Sequence, residues 1–316
     1  MITIAADLGG TSIKLGVVVD GKVAQQILFP AKSKEGLLSQ LPRIADEIQG
    51  QVASLGLDCG RCDVLGLAFP GLVNSVTNRV RATYGKWDDA GDIDLVAWAK
   101  ARFSLPLVME NDTRLALFGE WRAGAGTGCD NLVLVTLGTG LGTAAVVEGS
   151  LLTGVHGQAG VLGGHFGTNR QGARCTCGNV GCAEAEASTS VLARIAQAQP
   201  DFANSALRRR EVIDYGALFE LAREGDVCAG AIKKHAIGVW AQMIVNLIHA
   251  YDPERVILGG GIVAGAADFF DELKEAVLSH AHTPWGQVDI VIGALGPSAA
   301  LMGLDALARQ RHPELA

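Results

Sequence analysis

With 316 residues, 49% hydrophobic content and a formal net charge of −7, the chain is long enough for two packed lobes of ordinary domain size, each with its own core. The acidic balance excludes a broad basic surface for nucleic-acid phosphates, and the one dense basic run, Arg208-Arg209-Arg210, reads as a solvated face. No window reaches the roughly 18 consecutive apolar residues of a membrane span and no targeting segment precedes the first strand, so a cytoplasmic protein without nucleic-acid or membrane partners is expected.

Ile2 to Ala6 is apolar and runs into Asp7-Leu8-Gly9-Gly10-Thr11, after which Ile13 to Val19 resumes a strand pattern that Asp20-Gly21 turns back. This predicts a β-hairpin at the start of the chain. Leu37, Leu41, Ile44, Ile48, Val52 and Leu55 recur every three or four residues and predict one apolar helix face, with Pro42 best tolerated near its first turn. Val64 to Phe69 predicts a buried strand closed by Pro70-Gly71, and Leu105 to Met109 another that leads into Glu110-Asn111-Asp112. Thr113 to Ala123 follows as a helix, ending in the glycine-rich stretch 124–128.

Leu132 to Leu137, the turn Gly138 to Thr143, and Ala144 to Val147 repeat the strand-turn-strand of residues 2–19. Two lobes duplicated from one unit are therefore expected. Residues 150–187 are rich in Gly and Cys and lack a regular period, so something must hold them. Ile232, Ala236, Trp240, Met243, Leu247 and Tyr251 line a long helix that stops at Asp252-Pro253. Val256 to Leu258 is a short strand into Gly259-Gly260-Gly261, Ala266 to His280 a helix, Val288 to Ile292 the last strand, and 298–310 a terminal helix. The expected organisation is α/β: an N-terminal lobe over 1–122, a C-terminal lobe over 123–297, and a helix within 298–316 that packs back on the first lobe.

Asp7-Leu8-Gly9-Gly10-Thr11 joins two antiparallel strands, so its amides can point at a phosphate without interference from β-carbons, and Thr11 adds a hydroxyl. Bare phosphate would repel Asp7, whose presence makes sense with Mg²⁺ between them. Gly138 to Thr143 offers a second cradle of the same kind, and two such turns facing each other would hold a polyphosphate. Either alone also reads as a plain turn. The dinucleotide fingerprint is not met, because the glycine spacing differs and a strand follows, and no Gly-Lys-Ser/Thr ending is present.

Asp112 sits where a strand gives way to a helix and can accept the proton of an alcohol during phosphoryl transfer; Asn111 can hold hydroxyls through its amide. The competing reading is that Asn111 or Asp112 merely caps the helix. His165, Cys175, Cys177 and Cys182 supply one nitrogen and three thiolates within eighteen residues, the donor set of a closed structural zinc site. Gly178 and Gly181 let the chain curl between ligands. Cys59-Gly60-Arg61-Cys62 lacks a second pair and reads as a surface loop.

Together these segments resemble the ROK family (repressor, open reading frame, kinase) of sugar kinases in the hexokinase and actin superfamily. Asp7 to Lys14 is similar to the first phosphate motif, Phe69-Pro70-Gly71 to the turn that follows, Glu110-Asn111-Asp112 to the catalytic segment and Gly138 to Thr143 to the second phosphate motif. Cys175-Thr176-Cys177-Gly178-Asn179-Val180-Gly181-Cys182-Ala183-Glu184 resembles the C-x-C-G-x-x-G-C-x-E signature, and Gly259-Gly260-Gly261 the adenosine-side glycines. The resemblance implies a two-lobed actin-like, hexokinase-type (ribonuclease H-like) fold that closes over a sugar and ATP. It implies Asp112 as general base; Asn111, Glu184, His165 and Gly71 near the sugar; and Asp7, Gly9, Gly10, Thr11, Lys14, Gly138, Thr139, Gly140, Gly260 and Gly261 on the nucleotide with Mg²⁺. His165 would bind zinc through one ring nitrogen and a sugar hydroxyl through the other. A homodimer or homotetramer is implied as well.

One segment departs from the family pattern. Where the family reads A-G-E-x-G-H, this chain has Ala159-Gly160-Val161-Leu162-Gly163-Gly164-His165, which removes a hydroxyl-accepting carboxylate and adds one residue. A hexose substituted at the 2-position, or a hexose other than glucose, therefore stays open beside glucose. The alternative function is a sugar-responsive regulator of the same family, which would carry a winged helix-turn-helix ahead of the first phosphate motif; that motif here begins at Asp7.

Overall fold

The computed structural model describes residues 1–315. In chain order the elements are β1 (Ile2–Leu8), β2 (Ser12–Val19), β3 (Lys22–Pro30), α1 (Leu37–Ser54), β4 (Val64–Phe69), β5 (Leu72–Asn74), β6 (Arg79–Ala82), α2 (Leu95–Phe103), β7 (Leu107–Asn111) and α3 (Asp112–Ala123). They continue as β8 (Leu132–Leu137), β9 (Leu141–Val147), β10 (Ser150–Leu151), α4 (Ala183–Ala187), α5 (Thr189–Gln197), α6 (Tyr215–Arg223), α7 (Val227–Tyr251), β11 (Arg255–Gly259), α8 (Phe270–His280), β12 (Asp289–Ile292) and α9 (Ala299–Arg311). Two compact units result: residues 1–128 with 153–159 and 294–315, and residues 129–152 with 160–293.

In the first unit the sheet order is β3-β2-β1-β4-β7. β1 to β3 form an antiparallel meander, and β4 and β7 run parallel to β1. β4 is buried along its whole length, as a central parallel strand must be. β3 is an edge strand, and its alternation of exposed and half-buried residues carries too little apolar signal for the sequence reading to have separated it from the hairpin. α1 buries the predicted face, Leu37, Leu41, Ile44, Ile48 and Val52. Pro42 lies in its second turn, deeper than expected, while the Asp89 carboxylate accepts the N–H groups of Leu37 at 2.6 Å and Leu38 at 2.9 Å. α9 packs on α3 through two glycines: a Cβ on Gly119 would lie 2.1 Å from the Ala299 carbonyl oxygen, and one on Gly303 would lie 1.9 Å from that of Leu115.

The second unit repeats the plan. Its sheet order is β10-β9-β8-β11-β12, again three antiparallel strands followed by two parallel ones, so the duplication expected from sequence is present as one strand order used twice. The core gathers on α7, where Trp240, Met243 and Ile244 are fully buried; Asp252 ends that helix in the left-handed region (φ 46°) ahead of Pro253.

Several predicted boundaries are corrected. The helix expected over 266–280 is split: 3₁₀ turns cover Gly261–Asp268 with a non-helical Gly265, and the α-helix begins only at Phe270. β9 starts at Leu141 rather than Ala144, β7 at Leu107 rather than Leu105, and β12 at Asp289 rather than Val288. The segment 150–187 is irregular except for β10, a 3₁₀ turn and the short α4, and α5 and α6 occupy a stretch the sequence reading left unassigned. Arg208 and Arg209 lie in an exposed 3₁₀ turn, and Arg210 pairs with Glu220 at 2.8 Å. No helix among the described residues is long and apolar enough to cross a membrane.

Candidate active site and metal cluster

In the first unit the parallel register places Asp7 beside Ala68, Ala68 beside Glu110 and Phe69 beside Asn111. Asp7, Gly71, Asn111 and Asp112 therefore share the carboxyl edge of the sheet, where open α/β sheets bind their ligands. Two strand spacings, about 10 Å, separate the backbones at Asp7 and Glu110, two residues before Asp112. Lys14 pairs with Asp7 across the hairpin, its Nζ 3.7 Å from Oδ2. Gly9 is sterically required in the turn between them, because a Cβ there would lie 2.5 Å from the Ser12 carbonyl oxygen. Thr11 is exposed at the turn's tip.

Asn111 and Asp112 divide the labour that the sequence left undecided. The Asn111 Oδ1 accepts the N–H groups of Thr113 and Arg114, both at 3.1 Å, so Asn111 is the helix cap. Its amide donates to the Gly71 carbonyl at 3.2 Å and to Asp112 Oδ1 at 3.0 Å. All four hydrogen-bonding positions of the side chain are thereby used, and a sugar hydroxyl reaches it only by exchange. Asp112 opens α3; its Oδ1 also accepts the Thr113 N–H at 2.7 Å, whereas Oδ2 has no hydrogen-bond partner among the described residues. Burial, and after it the nearby Asp7 carboxylate, push the Asp112 carboxyl up to about 6; the Thr113 amide and the Lys86 ammonium act against them.

Lys86 went unnoticed in the sequence because residues 83–89 have no periodic pattern. Its stem covers Gly10, where a Cβ would lie 2.4 Å from Lys86 Cδ. The segment is fixed by Trp87, which is fully buried and donates from Nε1 to the Leu8 carbonyl at 3.0 Å. The signal that was available is a bulky aromatic beside a cation in an otherwise polar loop.

In the second unit, Gly138, Thr139 and Gly140 join β8 to β9, with Thr139 exposed. The amides of Thr189 and Ser190 at the start of α5 hold this turn by donating to the Gly138 and Thr139 carbonyls at 3.0 and 3.2 Å. Glu184 lies against it as well: Oε2 accepts the Leu141 N–H at 3.0 Å, and a Cβ on Gly140 would approach that oxygen to 2.6 Å. Gly260, at φ 89°, sits so close to the end of β8 that a Cβ would lie 2.3 Å from the Leu137 carbonyl oxygen. Beside it, the Gly261 amide nitrogen would lie 3.9 Å from a Cβ on Gly138. The two glycine motifs of this unit thus converge on one strand edge. Thr136 occupies the place that Asp7 holds in the first turn, so only the first turn carries a carboxylate for a cation.

His165, Cys175, Cys177 and Cys182 come together, with one ligand atom from each lying within 4.8 Å of all the others. Cys175 Sγ is 3.5 Å from His165 Nδ1, and Cys177 Sγ is 3.6 Å from Cys182 Sγ. A tetrahedral ion with bonds of 2.0–2.3 Å gives edges of about 3.5–3.8 Å, and these two separations match such edges. Gly178 and Gly181 take φ of 94° and 68°, and a Cβ on Gly181 would collide with the Asn169 carbonyl. Glu186 secures the segment from behind, accepting the Ala173 N–H at 2.6 Å. Cys59 and Cys62 flank a 3₁₀ turn capped by Asp58 and join no metal-binding group among the described residues.

Comparison with known proteins agrees with this geometry. The chain is 31% identical over 315 residues to a glucokinase of Thermotoga maritima, covering 98% of this chain and 97% of that one. Among solved structures, a ROK hexokinase from Thermus thermophilus superposes with a TM-score of 0.80 at 28% identity, covering 99% of this chain and 100% of that one. A ROK family glucokinase from Streptomyces griseus, solved with glucose and AMPPNP, gives 0.79 at 29% identity, covering 98% and 100%. The ROK family as a whole matches residues 3–311. With the duplicated sheets, the glycine turns and the His/Cys₃ cluster all in place, the chain belongs to the ROK family.

Proposed function

We propose that this protein transfers the γ-phosphoryl group of ATP to a hydroxyl of a hexose or hexose derivative, of glucose type or an N-acetylated amino sugar, with Asp112 as the general base. The observation that carries the reading is the division of the Asp112 carboxylate: one oxygen is anchored by neighbours, and the other is without a partner at the strand edge that also carries the Asp7–Thr11 turn. An anchored carboxylate with a free oxygen is placed to take a hydroxyl proton as the new O–P bond forms. In the first unit Gly9, Gly10, Thr11 and Lys14 are the phosphate-contact positions; in the second unit Gly138, Thr139 and Gly140 are, with Gly260 and Gly261 on the nucleoside side. Asn111 and Gly71 in the first unit, and Glu184 and His165 in the second, are the sugar-contact positions, His165 through Nε2, since Nδ1 is turned to Cys175. Asp7 would hold Mg²⁺, which would supply positive charge against the phosphates. ADP release is the test, measured with ATP, Mg²⁺ and a panel of hexoses, amino sugars, N-acetyl sugars and disaccharides. Sugar-dependent release is expected with at least one hexose-type acceptor, and its absence across the panel would overturn the reading.

Zinc is the metal proposed for the cluster, since three thiolates and an imidazole in a closed tetrahedral set match its preferences and leave no open position for catalysis. Its role is to order residues 163–187. Because metal affinity then becomes folding free energy, Cys177→Ser is expected to cut bound zinc from about one per chain to well below half and to lower the melting temperature. Elemental analysis with a thermal melt checks this; an unchanged zinc content would count against the assignment.

A further inference from the structure

We propose that Lys86 is a further catalytic residue, whose ammonium group binds the transferring phosphoryl group above the Gly9–Gly10 turn. The inference deepens the phosphotransferase reading and rests on it.

The position is built rather than incidental. The Lys86 stem lies against Gly10, where an added Cβ would come 2.4 Å from Cδ and 2.5 Å from Cε. Trp87 donates from Nε1 to the Leu8 carbonyl and from its backbone N–H to the Ser33 carbonyl at 3.2 Å, while the Ser33 hydroxyl donates to the Gly10 carbonyl at 2.7 Å. The turn and the Lys86 loop are thus tied together at three points. Asp88 and Asp89 are occupied on the far side, by the Thr83 hydroxyl and by the start of α1. Trp87 is held at φ 57°, a left-handed conformation that costs a bulky residue about 1–3 kcal/mol and persists only where surroundings enforce it. Such strain is expected where a loop has to aim its neighbour.

Lys86 forms no ion pair among the described residues, unlike Lys14, which is paired with Asp7. Its charge nevertheless acts to lower the Asp112 carboxyl, against burial and the Asp7 carboxylate. During transfer the sugar oxygen forms a bond to the γ-phosphorus while the bond from that phosphorus to the bridging oxygen breaks. The electron pair leaves with ADP, and the hydroxyl proton passes to Asp112 Oδ2. Negative charge is spread over the three equatorial oxygens, and a fixed ammonium beside them stabilises that state more than it stabilises bound ATP.

Lys86→Met keeps the apolar stem on Gly10 and removes only the charge, and Lys86→Arg restores a cation. With the best sugar found in the ADP-release panel, Lys86→Met is expected to lower kcat about 10²-fold with the sugar KM within about twofold of wild type, and Lys86→Arg to recover most of the loss. Thermal melts of both accompany the assay. Lys86→Met with wild-type kcat overturns this inference alone, as does a Lys86→Arg variant that melts like wild type yet loses as much as Lys86→Met. If Lys86→Met does not fold, the kcat of Lys86→Arg against Lys86→Gln decides in the same way. Wild-type protein that releases no ADP with any sugar overturns the phosphotransferase reading itself, and this inference with it.

Discussion

Asp112→Asn is expected to lower kcat by about 10³-fold while leaving the fold intact. The amide keeps an oxygen to accept the Thr113 N–H that Asp112 Oδ1 now receives, so the start of α3 stays tied. It loses the favourable interaction of a carboxylate with a helix N-terminus, worth about 0.3–1 kcal/mol, and is relieved of burying a charge near Asp7. The two effects oppose each other, and the melting temperature should move by only a few degrees. A variant retaining activity within a few-fold of wild type would remove Asp112 from the reaction. The pH profile of the wild-type enzyme gives an independent check. Asp112 must be ionised to accept a proton, and its carboxyl is pushed up to about 6 by burial and then by Asp7. Because kcat/KM reports the free enzyme, it should decline as pH falls through about 6, by about tenfold per unit below that. An ordinary exposed carboxylate would hold activity down to about pH 4. An acid limb found there would mean that the base is some other group or that the site is wetter than described.

The parallel strands were legible because each is a short apolar run stopped by residues that an apolar strand does not need for its own packing, with Asp7 at the end of β1, Pro70-Gly71 after β4 and Asn111-Asp112 closing β7. Once three such runs lie parallel in one sheet, their stops align without further information, and this is why the grouping of Asp7, Gly71, Asn111 and Asp112 at one strand edge was readable. The clustering of His165, Cys175, Cys177 and Cys182 was readable for a similar reason, since three cysteines and a histidine in a glycine-rich segment restrict one another. What stayed hidden depends on contacts distant in sequence. Residues 153–159 pack with the first unit although the chain around them builds the second, and no local pattern marks that return. Glu184 was read toward the sugar through the resemblance, whereas its observed bond to Leu141 comes from the way α4 abuts the second glycine turn. Lys86 was invisible because a cation in an aperiodic loop is ordinarily solvated, and only its packing on Gly10 distinguishes it.

Arg114 shows how far such a hidden contact reaches. In sequence, Glu110 and Arg114 are two opposite charges four residues apart across the junction of a strand and a helix, worth under about 1 kcal/mol if solvated. In the structure both are buried, 3% and 1% exposed, with Nη1 3.2 Å from Oε1. Nη2 donates to the carbonyls of Thr153 at 3.3 Å and Ala159 at 2.7 Å, and Glu110 Oε1 accepts the Asn111 N–H at 2.7 Å. One guanidinium therefore ties the returning segment 153–159 to the strand end that presents Asp112. Removing it leaves a buried carboxylate without its counter-charge, so Arg114→Met is expected to destabilise the protein by about 3–5 kcal/mol, or roughly 10 °C in melting temperature. Arg114→Lys should rescue little of this, because a single ammonium cannot match the planar fork that now spans a carboxylate and two carbonyls. Adding Glu110→Gln to Arg114→Met removes the stranded charge and should restore about 1–3 kcal/mol of stability. Denaturant melts of the two single variants and the double variant complete the cycle. A loss below about 1 kcal/mol for Arg114→Met, the range of a solvated surface pair, would show that water reaches Glu110 and that the segment 153–159 is held by something other than this arginine.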